Sequence, residues 1–448
     1  MTIKVRFAPS PTGYLHIGNV RTALINWLFA RKHKGHFLLR LDDTDLDRSK
    51  KEYEEAIYED LTWLGLTHDS FFKQSDRFDR YKAVVEQLIT SGRLYPCYET
   101  PEELDFKRKR QLGRGQPPLY DRAALQLTQE QKDTFEKEGR KPHYRFLLED
   151  KDIAWTDMVR GNVHFGPRTL SDPVLVRGDG AYLYTLTSVV DDVDTDITHI
   201  MRGEDHVTNT AVQIQLFEAL GKDLSSLTFA HTTLLMDKDG AGLSKRIGSL
   251  GIRQLRDEGL EPLAICGFLA RLGTSLPIQP FDAMDAVIDQ FDINTFSRTS
   301  PRFDEHELFE LNHKLLVQLP FDKIAPKLKL RGMDAMTEDE WTLIKGNLET
   351  QEDWDHWFHV FHGEIGEIDL KADDYAYLAV ARQNLPEGEF TKDTWGEWTG
   401  ALKTLTERKG KSLFMPLRLA LTGLEHGPEM KDVLPLLGRT KVLKRLGN

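Results

Sequence analysis

Arg6-Phe7-Ala8-Pro9-Ser10-Pro11-Thr12-Gly13-Tyr14-Leu15-His16-Ile17-Gly18-Asn19 is the stretch on which the fold turns. Just before and into it, Ile3, Val5 and Phe7 alternate with Lys4 and Arg6, the period-two pattern of a short strand. Pro9, Pro11 and Gly13 stop that strand and stiffen the loop. Beyond it, Val20, Ala23, Leu24, Trp27 and Leu28 recur at helical spacing from about Gly18, and Gly35 ends the helix. Residues 37–41 read as a second strand, closed by the acidic turn Asp42-Asp43-Thr44-Asp45, and 52–64 as a second helix. Strand, helix, strand, helix with short links opens a parallel α/β sheet with helices on both faces.

Further along, the pattern changes. Residues 81–185 mix helices, short strands and loops such as Gln111-Leu112-Gly113-Arg114-Gly115-Gln116-Pro117-Pro118, as expected of an insertion between two halves of the sheet. The α/β signal returns at 182–190 and 197–201, then come a helix over 210–220, a strand over 227–231 and a loop ending in Leu243-Ser244-Lys245-Arg246. After about 250 the chain reads as nearly all helical. Leu255, Leu260, Leu263, Phe268 and Leu269 form one apolar stripe, and Leu308, Leu311, Leu315, Leu316 and Leu319 another. The expected organisation is 1–80 with 186–250 as a Rossmann-like domain, 81–185 as the insertion, 251–320 as a helical connector, and 321–448, from the break at Pro320-Phe321, as a helical C-terminal domain. No internal repeat or low-complexity segment interrupts it.

Composition narrows the class. At 448 residues the chain is long enough for about three domains. With 40% hydrophobic and 29% charged residues it reads as a soluble globular protein, not a disordered one. No apolar run reaches the roughly 18 residues of a spanning helix, and the start carries no apolar signal core, so no membrane association and a cytoplasmic location are expected. Two cysteines, Cys97 and Cys266, make neither a disulfide framework nor a four-cysteine metal site, and both are expected reduced. A net charge of −12 argues against indiscriminate nucleic-acid binding. It leaves room for local patches: residues 401–448 carry ten lysines and arginines against four acidic residues.

Two short elements point to chemistry. His16-Ile17-Gly18 stands at the mouth of a helix that follows a strand, where backbone N–H groups and a partial positive charge suit a phosphate. Gly18 leaves the backbone open to a base or ribose, and His16 can donate a hydrogen bond without being a permanent cation. Ser244-Lys245-Arg246 follows the loop containing Asp237, Asp239, Gly240, Ala241 and Gly242, and its cations could neutralise charge growing on a leaving polyphosphate. It is not a P-loop. Taken singly, a turn glycine beside a loop histidine, or a solvated basic turn, is the commoner case for either element.

Taken together, the two resemble the signatures of class I aminoacyl-tRNA synthetases: His16-Ile17-Gly18-Asn19 looks like HIGH, and Leu243-Ser244-Lys245-Arg246 like KMSKS in its LSKR form. The longer run 6–19 narrows the resemblance to the glutamyl/glutaminyl branch. Asp42-Asp43-Thr44-Asp45, Val190-Asp191-Asp192, Arg202-Gly203-Glu204-Asp205-His206 and Phe414-Met415-Pro416-Leu417-Arg418-Leu419-Ala420-Leu421-Thr422-Gly423 are similar, in order and spacing, to bacterial glutamyl-tRNA synthetases. The resemblance runs nearly end to end. It implies ATP-dependent activation of L-glutamate and transfer to the terminal adenosine of tRNA(Glu), with Mg2+ accompanying ATP. It places Thr12, His16, Gly18, Ser244, Lys245 and Arg246 at the nucleotide. Arg6 and Arg202 become readers of the side-chain carboxylate, Ser10 and Tyr184 add hydrogen bonds, and Asp42 partners the ammonium. The insertion then receives the acceptor end of tRNA, with Arg108, Lys109, Arg110 and Arg114 as phosphate contacts. The C-terminal helices read the anticodon, with Arg418 as a base contact.

Against that pattern the chain departs at Asp42, where many relatives have glutamate, at Ser188, where some carry an amide, and at Gly242, where most place a first lysine. Cys97-Tyr98-Glu99 lacks the clustered cysteines that hold zinc in some relatives, and His143 and His164 read as isolated, so no zinc is expected. A monomer is expected. Two other readings are a paralogue glutamylating tRNA(Gln) and a tRNA-binding protein without catalysis; the presence of His16, Lys245, Arg6 and Arg202 speaks against the latter.

Overall fold

The computed structural model describes residues 2–242, 251–348, 352–366, 368 and 370–447. It begins with β1 (Lys4–Phe7), α1 (Ile17–Lys32), β2 (His36–Leu41), α2 (Lys51–Trp63), β3 (Ser70–Lys73) and α3 (Phe78–Thr90). These strands pair in parallel in the order β1-β2-β3, with Arg6 opposite Leu38 and Leu38 opposite Ser70. β2 is apolar along both faces because helices cover both, and Phe37, Leu38, Leu39 and Leu41 are buried. Next come β4 (Leu94–Cys97), α4 (Pro101–Gly113), α5 (Gln129–Lys137), β5 (His143–Phe146), β6 (Ile153–Asp157), β7 (Gly161–Phe165) and β8 (Val174–Val176). After them follow α6 (Tyr184–Asp194), β9 (His199–Gly203), α7 (Val207–Ala219) and β10 (Thr228–Thr232).

β9 and β10 run parallel, with Arg202 opposite His231. Thr198, just before β9, joins this sheet to the first: its N–H donates to the Lys4 carbonyl at 2.9 Å, and its Oγ1 accepts from the Lys4 N–H at 2.8 Å. β4, β5 and β8 form a separate antiparallel sheet. β6 and β7 do not stay in the insertion to which 81–185 assigned them. β6 pairs in parallel with β10, Asp157 opposite Phe229, and β7 pairs with β6. Trp155 packs on Phe165 and Phe229, which ties the hairpin to β10 by burying aromatic area.

Two compact units emerge. The first comprises Met1–Gln254, Cys266–Ile278 and Ala283–Asp304, the second Leu255–Ile265, Gln279–Asp282 and Glu305–Asn448. The stripe 255–269 is broken in two helices, Ile252–Asp257 and Pro262–Arg271. Gly259 stands between them at φ +79°, the Gly259 N–H bonds the Arg256 carbonyl and the Leu260 N–H the Leu255 carbonyl, a Schellman end that needs the left-handed residue. In the second unit, Leu315 and Leu316 from helix Glu305–Gln318 share one core with Ile324 and Leu328 from helix Phe321–Leu330. The break expected at Pro320-Phe321 is therefore a link inside that unit; Pro320 caps the second of the two helices. Buried Trp341, Trp354 and Trp398 fill the same core, and Trp398 donates its indole N–H to the Ala381 carbonyl.

Candidate active site

His16 is the N-cap of α1. Its Nδ1 accepts from the Gly18 N–H at 3.1 Å, while Asn19 Oδ1 faces the His16 N–H at 3.4 Å. The Gly18 N–H is thus used within the turn and not left open, as the sequence suggested. A Cβ on Gly18 would come 3.1 Å from His16 Cε1, so the glycine keeps room for the folded-back imidazole. Burial lowers the His16 pKa, which favours the neutral ring. With Nδ1 accepting, the ring proton sits on Nε2, where it can be donated to a phosphate oxygen. Gly251 forms a backbone bridge with His16, and the Ile252 N–H donates to the Leu15 carbonyl at 3.1 Å. Leu243, Ser244, Lys245 and Arg246 lie outside the described residues; Thr12 and Ser10 are exposed on the loop before α1.

Beside this helix start lies a buried ionic cluster built across four elements. Arg40, next to last in β2, is fully buried. It binds Asp42 through two nitrogens at 2.6 and 3.1 Å, Asp192 at 2.9 Å, and approaches Asp191 at 3.7 Å. Arg6 on β1 grips Asp192 at 3.1 and 3.2 Å, and Arg77 reaches Asp191 at 2.8 Å. Gln74 and Tyr81 complete the shell of Asp191. Three carboxylates thus face three guanidiniums. Burial is the larger influence on Asp42 and pushes its carboxyl up to about 6, even beside Arg40, because Arg40 is shared with two other carboxylates. The three carboxylates acting on Arg40 hold its pKa well above the ordinary value despite burial.

Arg202 differs. It is 6% exposed and forms no ion pair among the described residues. Its Nη1 donates to Tyr184 Oη at 2.9 Å and its Nη2 to Thr210 Oγ1 and Gln213 Oε1, both at 2.6 Å. Its Nε is buried without a hydrogen-bond partner. Glu204 pairs with Arg160 and Asp205 approaches His206, so neither acidic neighbour in sequence neutralises it. Burial lowers its pKa most; Tyr184 and the more distant Asp192 act against this, while Arg6 adds to it. His206 registers the same field: burial first, then Arg202 and Arg6, bring it down to about 4. The Arg6–Arg40–Arg77 cluster is balanced, whereas Arg202 has no carboxylate in contact, and a buried guanidinium in that state can pair with an anion.

The structure brings Arg6, Asp42, Tyr184 and Arg202 into one neighbourhood, but two of them arrive already engaged: Arg6 by Asp192, Asp42 by Arg40. Ser188, buried on α6, accepts from Gln213 Nε2 at 2.9 Å, so an amide does stand beside this position, supplied from α7. Sequence reasoning missed Arg40, Asp157 and His231. A cation inside the apolar run 37–41 was the available signal for Arg40, because a strand buried on both faces gives a charge no route to water.

Elsewhere, Arg108, Lys109 and Arg110 lie on exposed α4, Lys109 paired with Asp105 at 2.6 Å. Cys97 and His143 are cross-strand neighbours on β4 and β5, not isolated as they read in sequence; burial pushes the Cys97 thiol up to about 11. Among the described residues no group of three or more His, Cys, Asp or Glu is disposed to hold a metal ion, and no helix is long and apolar enough to cross a membrane. In the second unit, Arg418, Trp395, Phe414, Glu429, Met430 and Lys431 line a cleft of about 310 Å³. Arg418 Nη2 donates to the Pro428 carbonyl at 2.7 Å, while Nη1 is buried without a partner. Trp395 and Phe414 lie 6.3 Å apart, and Phe414 is 44% exposed.

Comparison with known proteins bears on both units. Residues 2–310 match the family of class I tRNA synthetases (E and Q), catalytic domain, and 367–448 match an anticodon binding domain. Glutamate–tRNA ligase 1 of Maricaulis maris is 55% identical over 99% of this chain and 98% of its own length. Glutamate–tRNA ligase of Azospirillum brasilense is 52% identical over 100% and 99%. A crystal structure of a glutamate tRNA ligase from Elizabethkingia meningosepticum, in complex with its amino acid, superposes with a TM-score of 0.80 at 28% identity, covering 100% of this chain and 98% of that one.

Proposed function

The chain belongs to the class I tRNA synthetases of the glutamate and glutamine type, and from that premise we propose how it works. It is a glutamate–tRNA ligase. A glutamate carboxylate attacks the α-phosphorus of ATP, pyrophosphate leaves, and the adenylate then esterifies the terminal adenosine of tRNA(Glu). Arg202 pairs with the substrate's side-chain carboxylate, assisted by the Arg6 edge not held by Asp192 and by Ser10; Tyr184 forms the wall. Asp42 takes the ammonium. His16, through Nε2–H, donates to the triphosphate beside Gly18 and Thr12, and Ser244, Lys245 and Arg246 supply the remaining contacts. What supports their approach is the bridge between His16 and Gly251, six residues after Lys245. Mg2+ comes with ATP, held by phosphates and water. Buried free thiols at Cys97 and Cys266 fit a reducing cytoplasm.

The single observation that carries glutamate as substrate is the uncompensated charge of Arg202. A neutral amide would leave it buried and unpaired, so glutamine is disfavoured. The test is charging of purified tRNA(Glu) and tRNA(Gln), each with labelled glutamate and labelled glutamine. Glutamate on tRNA(Glu) is expected; glutamate on tRNA(Gln) as well widens the tRNA range to the non-discriminating type, and product on neither tRNA overturns the proposal.

Asp42 makes this activity sensitive to acid. Its folded pKa, about 6, lies above the ordinary carboxylate value, so the carboxylate needed for the ammonium is lost as pH falls through 6. The kcat/KM for glutamate should drop roughly 3- to 5-fold from pH 7.5 to 5.5, with an apparent pKa near 6. A profile flat over that range, followed by initial aminoacylation rates, refutes Asp42 as the ammonium partner.

In the anticodon-binding domain, the cleft of Trp395, Phe414 and Arg418 is suited to one unstacked base, with rings for its face and a guanidinium for its edge. Arg418→Ala is expected to raise the tRNA KM about 10-fold, within the usual 1–3 kcal/mol of a base contact, while sparing the KM for ATP. An unchanged tRNA KM removes Arg418 from the interface.

A further inference from the structure

Behind Arg202 runs a chain of buried polar groups that the aminoacylation chemistry above does not use. Arg202 Nη2 donates to Thr210 Oγ1 at 2.6 Å; Thr210 Oγ1 lies 2.8 Å from His231 Nε2; His231 Nδ1 lies 2.6 Å from Asp157 Oδ2. Thr210 and His231 are fully buried and Asp157 nearly so. Asp157 Oδ1 also takes the backbone N–H groups of Val159, Arg160 and His231 at 3.0, 3.0 and 3.1 Å. Burial alone would raise the Asp157 pKa, but these bonds and His231 hold it below the ordinary value, so the carboxylate stays charged.

The two ends of the chain dictate the middle. Asp157 can only accept and Arg202 can only donate. Burial lowers the His231 pKa and favours the neutral ring, so His231 donates from Nδ1 and leaves Nε2 as an acceptor for the Thr210 hydroxyl. The other acceptor within reach of that hydroxyl, the His206 carbonyl, is farther at 3.2 Å. Thr210 then turns its lone pairs to Arg202. Each dipole points its negative end toward the guanidinium, and the carboxylate lies at the far end of the line.

We propose that Asp157, His231 and Thr210 are positioning residues for glutamate recognition: they orient the Arg202 guanidinium and support its buried charge until the substrate carboxylate arrives. The proposal rests on the assignment of Arg202 to the side-chain carboxylate and deepens it. None of the three touches the substrate. Their action reaches it only through Arg202, so the effect belongs to glutamate binding and not to ATP. A carboxylate in direct contact with Arg202 would have satisfied the charge and closed the site to the substrate. A carboxylate placed three hydrogen bonds away supports the charge without competing for it.

Steady-state aminoacylation of tRNA(Glu), with glutamate and ATP varied in turn, tests this. Thr210→Val keeps the shape and removes the hydroxyl; it should raise the KM for glutamate at least 10-fold, with kcat within about 3-fold and the ATP KM unchanged. Thr210→Ser restores the hydroxyl and should return the glutamate KM to within about 3-fold of wild type. Asp157→Asn, which forces the His231 tautomer to reverse or lose its bond, should raise the glutamate KM alone, and it serves in place of Thr210→Val if that variant does not fold. An unchanged glutamate KM in the variants, a parallel rise in both KM values, or no rescue by serine overturns the relay. Wild-type protein that charges no tRNA with glutamate overturns the functional reading itself, independently of Thr210.

Discussion

Arg202→Met should lower kcat/KM for glutamate on the order of 10³-fold while leaving the fold as stable as before. Two charge-assisted hydrogen bonds to a carboxylate contribute roughly 1.5–3 kcal/mol each, and each 1.36 kcal/mol is tenfold. Stability is spared because removing Arg202 strands no carboxylate: its direct partners are the hydroxyls of Tyr184 and Thr210 and the amide of Gln213. A guanidinium buried without a counter-ion costs desolvation energy, so the melting temperature should stay or rise. Aminoacylation kinetics and a thermal melt by circular dichroism read the two halves. Wild-type kcat/KM for glutamate, or a collapse of the fold with the activity, refutes the assignment.

For Arg40→Met the opposite pattern is expected. Arg40 is as deeply buried, but Asp42 and Asp192 bond it directly and Asp191 lies 3.7 Å away. Asp192 keeps Arg6 and Asp191 keeps Arg77, but the buried Asp42 carboxylate loses its ion pair, and breaking a buried pair this way costs about 3–5 kcal/mol. That corresponds to a fall in melting temperature of roughly 10 °C. The loss should also depend on pH. Asp42 already has a folded pKa above its unfolded value, so its charged form weighs against the fold at high pH and the penalty fades as protonation sets in below about 6. Removing Arg40 enlarges that effect, and the variant should regain part of its melting temperature between pH 8 and pH 6. A melt within about 2 °C of wild type at pH 8 would show that the cluster is not held by Arg40.

The contrast between these two arginines marks where reading the sequence stopped. Alternation at 3–7, helical spacing at 20–28 and the Pro-Gly loop between them specified β1, α1 and the turn, because those signals are local. His16 at a helix start followed from the same local pattern. Arg6 and Arg202 were named from resemblance, but their states were not. Arg6 is engaged by Asp192, 186 residues away, whereas Arg202 has no carboxylate in contact. Arg40 went unnoticed because a hydrophobic run says only that a strand is covered. Its one charged member reads as an exception until its partners are in view.

The hairpin of β6 and β7 makes the same point for the fold. Its residues sit inside a stretch whose composition reads as an insertion, and the pairing of Asp157 with Phe229, the packing of Trp155 on Phe229 and the bond of Asp157 to His231 attach it to β10. Strand order in a sheet depends on which edges meet, a matter of long-range packing that local periodicity does not encode.

By itself, then, the sequence determined the element types at the start of the chain, the helical second half and the family motifs, since each depends on neighbours a few residues apart. The tertiary structure alone decided which of these buried arginines meet carboxylates and which, like Arg202, do not. Electrostatic energy in a low-dielectric interior falls off with distance in space, and the groups that set it here lie up to 186 positions apart along the chain.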